Sequence, residues 1–335
     1  MFFMVRQFGG AVACDPDTWT IEAAPSQRAW QSVLYVPYLD RYVACANSGD
    51  SSKICYSAGG DGETWTAETV PTGANDPSEF VALACSDDTT VAVATDGNDH
   101  RTIRKTTSGS SWATDTSGST GNQWRDVTYD SSTTSFIAVA QNNSNRCITS
   151  TDDGDTWTHR AIQANAWKGV HADHGTVIAV GDTGTISKSE DGGVTWADKS
   201  PGAGYTNNLT AVTYADTLGL WVAVANSGTG NRVLTSDDDG ETWDAQTSAS
   251  DRNWSDILWA EGVLVAVAEN TLLVSNDQIQ VSTDGTTWAH RTLSTASDTS
   301  EDWTGVTFGV DLFVVIGTAS GMGPGELGQI QISAC

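Results

Sequence analysis

The chain has 335 residues and carries 42 Asp and Glu against 16 Lys and Arg, a formal net charge of −26. So acidic a chain repels phosphate backbones, and with no apolar run long enough to span a bilayer neither nucleic acid nor membrane insertion is expected. Of the acids 32 are Asp, and of the bases only five are Lys, a balance that suits a saline or extracellular setting.

In chain order, residues 1–13 come first as an arm. Its apolar run Phe2, Phe3, Met4 and Val5 is broken by Arg6, which denies a signal peptide its continuity, so no cleaved leader is expected. An ordered apolar arm needs a partner to cover it, which makes these residues the expected docking segment. Residues 14–335 read as a single domain built from a repeat. Apolar segments of the form W-x-x-V-x-Y begin at Trp30, Phe80, Trp124, Trp167, Leu209, Trp254 and Trp303, separated by 42 to 50 residues. That period is the length of one four-stranded propeller blade. Each copy is followed by a small-residue run such as Phe136-Ile-Ala-Val-Ala140, the pattern of a strand covered on both faces. A third strand and a tight turn lead to a second Trp series: Trp19, Trp65, Trp112, Trp157, Trp196, Trp243 and Trp288.

The two series are offset at the ends, because Trp19 precedes the first copy and Trp303 has no successor. Joining the tails repairs the repeat. The spacing therefore predicts an all-β, seven-bladed β-propeller with four-stranded antiparallel blades, the last closed by the N-terminal strand. The expected blades are 30–70, 79–117, 124–162, 167–200, 209–247, 254–293, and 303–335 together with 15–24.

The turns before the second Trp series have a shared pattern. Ser150/Asp152/Gly154/Thr156/Trp157, Ser189/Asp191/Gly193/Thr195/Trp196 and Ser236/Asp238/Gly240/Thr242/Trp243 fill S-x-D-x-G-x-T-W, and Ser282/Asp284/Gly285/Thr287/Trp288 is one residue short. This resembles the Asp-box, or bacterial neuraminidase repeat. The resemblance implies a hairpin between third and fourth strands, on the side of the propeller away from sialidase active sites. The motif residues are then spent on the turn itself, with Asp accepting backbone N–H groups, Gly taking positive φ and Trp packing into the blade. Propellers with such repeats are also similar to photosystem II assembly factors and to surface or tail proteins of viruses.

Alternating strand direction places the first-to-second and third-to-fourth turns on one face, and about half of the 42 acids fall in those turns. On the opposite face cations recur before third strands at Lys53, Arg101, Arg146 and Arg232, with Arg28 and Arg252 nearby. Arginine suits bidentate recognition of carboxylate or phosphate, so these six are the candidate ligand-binding residues. The bland alternative is local pairing with Asp50, Asp99 and Asp251.

Six Cys show no zinc spacing. Cys14 and Cys335 flank the closure and Cys45 and Cys55 flank one turn, so each pair is a candidate disulfide. His171 and His174 lack a third ligand in the pattern, and neither a metal nor any cofactor is expected. No catalytic motif stands out, and the sialidase likeness lacks a Tyr–Glu pair and the opening Arg-Ile-Pro segment. The function expected is a non-catalytic binding or structural propeller of a virion, docked through its arm to other virion proteins and presenting a face to a host glycan or protein. A sialidase-like glycoside hydrolase and a cellular assembly scaffold are the alternatives.

Overall fold

The computed structural model describes residues 20–23, 29–47, 53–60, 65–71, 77, 79–96, 101–106, 111–115, 122–142, 146–202, 204–269, 277–291, 301–319 and 329–334. The arm residues Phe2, Phe3, Met4 and Val5, together with Cys14, Trp19, Arg28 and Cys335, lie outside these.

The strands are β1 (Thr20–Ala23), then β2 (Trp30–Val36), β3 (Arg41–Ala46), β4 (Ile54–Ser57) and β5 (Trp65–Glu68). The next group is β6 (Phe80–Cys85), β7 (Thr89–Ala94), β8 (Thr102–Thr106) and β9 (Ala113–Thr114), followed by β10 (Trp124–Asp130), β11 (Ser135–Ala140), β12 (Cys147–Ser150) and β13 (Thr158–Arg160). After them come β14 (Trp167–Asp173), β15 (Thr176–Gly181), β16 (Ile186–Ser189) and β17 (Ala197–Asp198), then β18 (Leu209–Ala215), β19 (Leu220–Ala225), β20 (Val233–Ser236) and β21 (Asp244–Gln246). The last are β22 (Asn253–Ala260), β23 (Val263–Glu269), β24 (Ile279–Ser282) and β25 (Ala289–Arg291), and β26 (Glu301–Gly309), β27 (Leu312–Ala319) and β28 (Gln329–Ala334).

Six antiparallel sheets, β2–β5 through β22–β25, are each made of four consecutive strands, and a seventh four-stranded sheet is composite, in the order β1-β28-β27-β26. In the composite sheet the two ends of the chain pair, with Thr20 opposite Ile332 and Ala23 opposite Gln329. The first strands contact one another in a closed cycle, β2, β6, β10, β14, β18, β22, β26 and back to β2. They line the central channel.

The core lies between neighbouring sheets. The large apolar residue near the start of each first strand, aromatic in six blades and Leu209 in the seventh, packs on the second strand of the preceding blade: Trp124 with Val91 and Val93, Trp254 with Val222 and Val224, Trp303 with Val265 and Val267. Trp30 packs with Leu312, Val314 and Ile316, which seals the ring across its two ends. Runs such as Ala223-Val224-Ala225 are wholly buried because both sheet faces are covered, and the small side chains let the blades approach.

The outermost strands β9 and β17 are only two residues long, and β26 begins at Glu301. One expectation changes. The Cys45–Cys55 disulfide is not formed, and both side chains are buried. Their strands pair with Cys45 opposite Ile54 and Cys55 opposite Ala44, one residue out of register. A one-residue offset sends side chains to opposite sheet faces. Cys45 accordingly packs beside Phe80 and Cys55 beside Trp30.

Candidate functional site

Every first strand has the same irregularity. The register with the second strand slips just after the opening residue, between Trp30 and Ser32, Phe80 and Ala82, Trp124 and Asp126, Trp167 and Gly169, Leu209 and Ala211, Trp254 and Asp256, and Trp303 and Gly305. A bulge re-aims the extra residue. Here those residues are Gln31, Val81, Arg125, Lys168, Thr210, Ser255 and Thr304, and all seven line one cavity of ≈ 380 Å³ at the mouth of the channel, joined there by Gln141, Asn226, Trp254 and Glu269. This mouth opens where first strands start and second strands end, so it lies on the face opposite the Asp-containing turns.

Three of the bulged hydroxyls bind the ring together. Thr210 Oγ1 donates to the Trp254 carbonyl at 2.8 Å, Ser255 Oγ to the Trp303 carbonyl at 2.5 Å, and Thr304 Oγ1 to the Trp30 carbonyl at 2.8 Å. The cations behave differently. Lys168 Nζ lies 2.6 Å from Asp182 Oδ1, whereas Arg125 Nε donates to Gln141 Oε1 at 2.7 Å. Burial lowers the Arg125 pKa. On the rim Glu269 is pushed upward by desolvation and by Asp302, with Lys168 acting the other way.

Deeper in the channel, Asp126 and Asp256 face inward from the next positions. Asp126 accepts the backbone N–H groups of Val127 and Val170, both at 2.8 Å, and Asp256 accepts those of Ile257 and Val306, both at 2.9 Å. Each carboxylate thus fastens its own blade to the next. Burial pushes Asp126 up to about 7, against the donated hydrogen bonds and with a contribution from Asp256, and pushes Asp256 up to about 6. His171 lines the same channel, and burial pushes it down to about 4.

The six cations expected to bind ligand are placed as follows. Arg101 donates to the carbonyls of Thr95 and Asn122, Arg146 to that of Asn165, and Arg232 to that of Arg252 at 2.5 Å. Asn122, Asn165 and Arg252 each precede the opening Trp of the next blade by two residues, so three arginines repeat one inter-blade bracket. Arg232 also lies 3.8 Å from Asp251, and Arg252 is bound by Asp277. Lys53 is buried, and Arg28 lies outside the described residues. The structure therefore assigns Arg101, Arg146, Arg232 and Arg252 to joints rather than to an open ligand surface.

On the opposite face the repeated turns close on themselves. In the turn at 150–157, Ser150 Oγ donates to Asp152 Oδ1 at 2.8 Å, Asp152 accepts the Thr156 N–H at 2.9 Å and its hydroxyl at 2.5 Å, and Trp157 Nε1 reaches the Gly154 carbonyl at 3.1 Å. The same bonds recur around Asp191 with Gly193 and Trp196, and around Asp238 with Gly240 and Trp243. In the shortened turn Asp284 accepts the N–H groups of Thr286 and Thr287, and Trp288 binds the Gly285 carbonyl. These bonds push Asp238 and Asp284 down to about 2, against desolvation. Gly240, at φ +80°, rests on the preceding blade, where a Cβ would lie 2.6 Å from Ile178 Cδ1. Gly240→Ala should cost about 1–2 kcal/mol in urea unfolding through left-handed strain, whereas Gly204→Ala, with open space around it, should be close to neutral. Equal effects at both positions would contradict this account.

His174 belongs to a polar knot between neighbouring blades. Its Nε2 lies 2.8 Å from Asp239 Oδ1, and Asp239 also accepts from Thr176, Trp221 and Lys188. Among the described residues no cluster of three or more His, Cys, Asp or Glu is arranged to hold a metal ion. No helix among them is long and apolar enough to cross a membrane.

The residues of the channel mouth were not singled out by sequence. The available signal is positional: each follows the opening residue of a first strand.

Comparison with known proteins places the fold. No protein-family model matches the chain and no curated protein matches it, so the likeness to Asp-boxes stands on the turns alone. Solved structures do match: "YCF48 bound to D1 peptide", at 14% identity and TM-score 0.68 over 97% of both chains, and "YCF48 from Cyanidioschyzon merolae", at 14% and 0.66 over 95% of this chain and 98% of that one. "Structure of U3-55K" matches at 9% and 0.69, over 95% and 98%. At these identities the similarity establishes a shared β-propeller fold.

Proposed function

We propose that the protein is a non-catalytic scaffold that docks a protein partner, and that it does so as a component of a virion or another extracellular assembly. The observation that carries the docking reading is the face bearing the Asp turns. There the motif carboxylates are consumed by their own hairpins, while Asp87, Asp237 and Glu261 stand exposed beside them in a chain of net charge −26. Such a face favours a basic partner surface and speeds its approach. The solved neighbour bound to a D1 peptide supports the reading by showing a propeller of this shape holding a protein segment. The turn geometry supports reading the repeats as Asp-boxes with a structural role. The Asp-rich, Lys-poor composition supports a virion setting.

Mass spectrometry of purified virus particles tests the setting, with the chain expected among the particle proteins and its absence overturning the virion reading. The docking surface is tested by the triple variant Asp87→Lys, Asp237→Lys and Glu261→Lys. Association with the partner protein isolated from the same assembly should fall by at least tenfold at low salt and converge with wild type at high salt. Unchanged association at low salt would remove this face from the interface.

A further inference from the structure

The channel mouth holds a cation prepared for an anion. Gln141 is oriented from both ends, since its Nε2 donates to Gln123 Oε1 at 2.7 Å while its Oε1 accepts from Arg125 Nε at 2.7 Å. That relay fixes the guanidinium by its Nε alone. Among the described residues no carboxylate pairs with Arg125, although acids outnumber bases 42 to 16 in the chain. Several other donors around the cavity are committed. Lys168 is paired with Asp182, and the hydroxyls of Thr210, Ser255 and Thr304 give their hydrogens to carbonyls of the next blade. Those hydroxyl oxygens and Glu269 remain as acceptors on the other walls. A half-buried guanidinium that lines a cavity and is anchored through Nε leaves its terminal nitrogens for bidentate capture of a carboxylate. The acceptors opposite call for an N–H donor on the same ligand.

We propose that the channel mouth binds a ligand bearing a carboxylate beside an N–H donor, with the terminal edge of Arg125 holding the carboxylate. Free α-amino acids and the C-terminal residue of a peptide share this chemistry. The site is on the face opposite the acidic docking surface, and it stands or falls independently of that surface.

Glycine and N-acetylglycine serve as probes of the two sources, titrated into the full chain by calorimetry and by tryptophan fluorescence, to which Trp254 in the cavity wall contributes. Saturable binding of glycine alone assigns a free amino acid, and binding of N-acetylglycine assigns a peptide terminus. In either case Arg125→Met should weaken it by roughly tenfold or more, and Arg125→Lys by less, because a charged bidentate bond is replaced by a point charge. Gln141→Leu is the second variant: it keeps the charge, frees the guanidinium from its anchor and should also weaken binding. Failure of both probes to bind saturably, or undiminished affinity in folded Arg125→Met and Gln141→Leu, would overturn the proposal.

Discussion

Replacing Trp124 by Ala should cost about 3–5 kcal/mol in urea unfolding, among the largest losses available from one side chain in this ring. The indole is fully buried at the joint between β6–β9 and β10–β13, against Val91, Val93 and Ala138. Removing it deletes apolar burial and leaves a cavity between two sheets whose spacing is set by backbone contacts elsewhere, so little collapse can compensate. The same position is occupied by Leu209 in the β18–β21 blade, where it is also fully buried. Trp124→Leu should therefore cost roughly half as much, because a branched side chain refills part of the joint. Trp196, from the other series, is only partly buried at the edge of its cluster. Trp196→Ala should lose less than Trp124→Ala. A larger loss at Trp196 would mean that the Asp-containing turns, and not the inner joints, hold the ring together.

That contrast also explains what the sequence made visible. Large aromatics at 42 to 50-residue spacing are legible because each fills the same joint, and the joint tolerates few substitutes. The tail closure was legible for a related reason: the two Trp series could be completed only by bringing residues 15–24 beside the last copy, and β1 does pair with β28. The channel mouth was hidden because its positions are alike in place and unlike in kind. A bulge needs no particular side chain to form, so Gln31, Val81, Arg125 and Thr210 share no chemical signature. The arginines were visible as cations but not as brackets, since sequence does not say whether a guanidinium meets water or the carbonyl of a neighbouring blade. The Cys45–Cys55 pairing failed on a single residue of register, which the length of a loop does not determine.

Between pH 4 and pH 7 the folded protein should lose stability as pH rises, and a double variant, Asp126→Asn with Asp256→Asn, should show the opposite slope. Both carboxyls start from 3.8 and are pushed up by burial, to about 7 and about 6. The folded state therefore holds their protons more tightly than the unfolded chain does. Their contribution is fully present below pH 3.8 and is lost as pH climbs through 6 and then 7, at about 1.4 kcal/mol per pH unit for each group while it titrates. His171, in the same channel, works against them. Its folded pKa is pushed down from 6.5 to about 4, so its contribution is present above 6.5 and is lost as pH falls towards 4. Two carboxyls outweigh one imidazole, which leaves wild type with a falling profile. Asp238 and Asp284, pushed down to about 2, lose their contribution only in stronger acid and do not disturb this window. Removing both carboxyls leaves His171 as the shifted group of the deeper channel that titrates in this window, so urea midpoints of the double variant should rise from pH 4 to pH 6.5 while those of wild type fall. Parallel profiles would show that Asp126 and Asp256 stay ionised inside the ring and fasten the blades as carboxylates at every pH in this range.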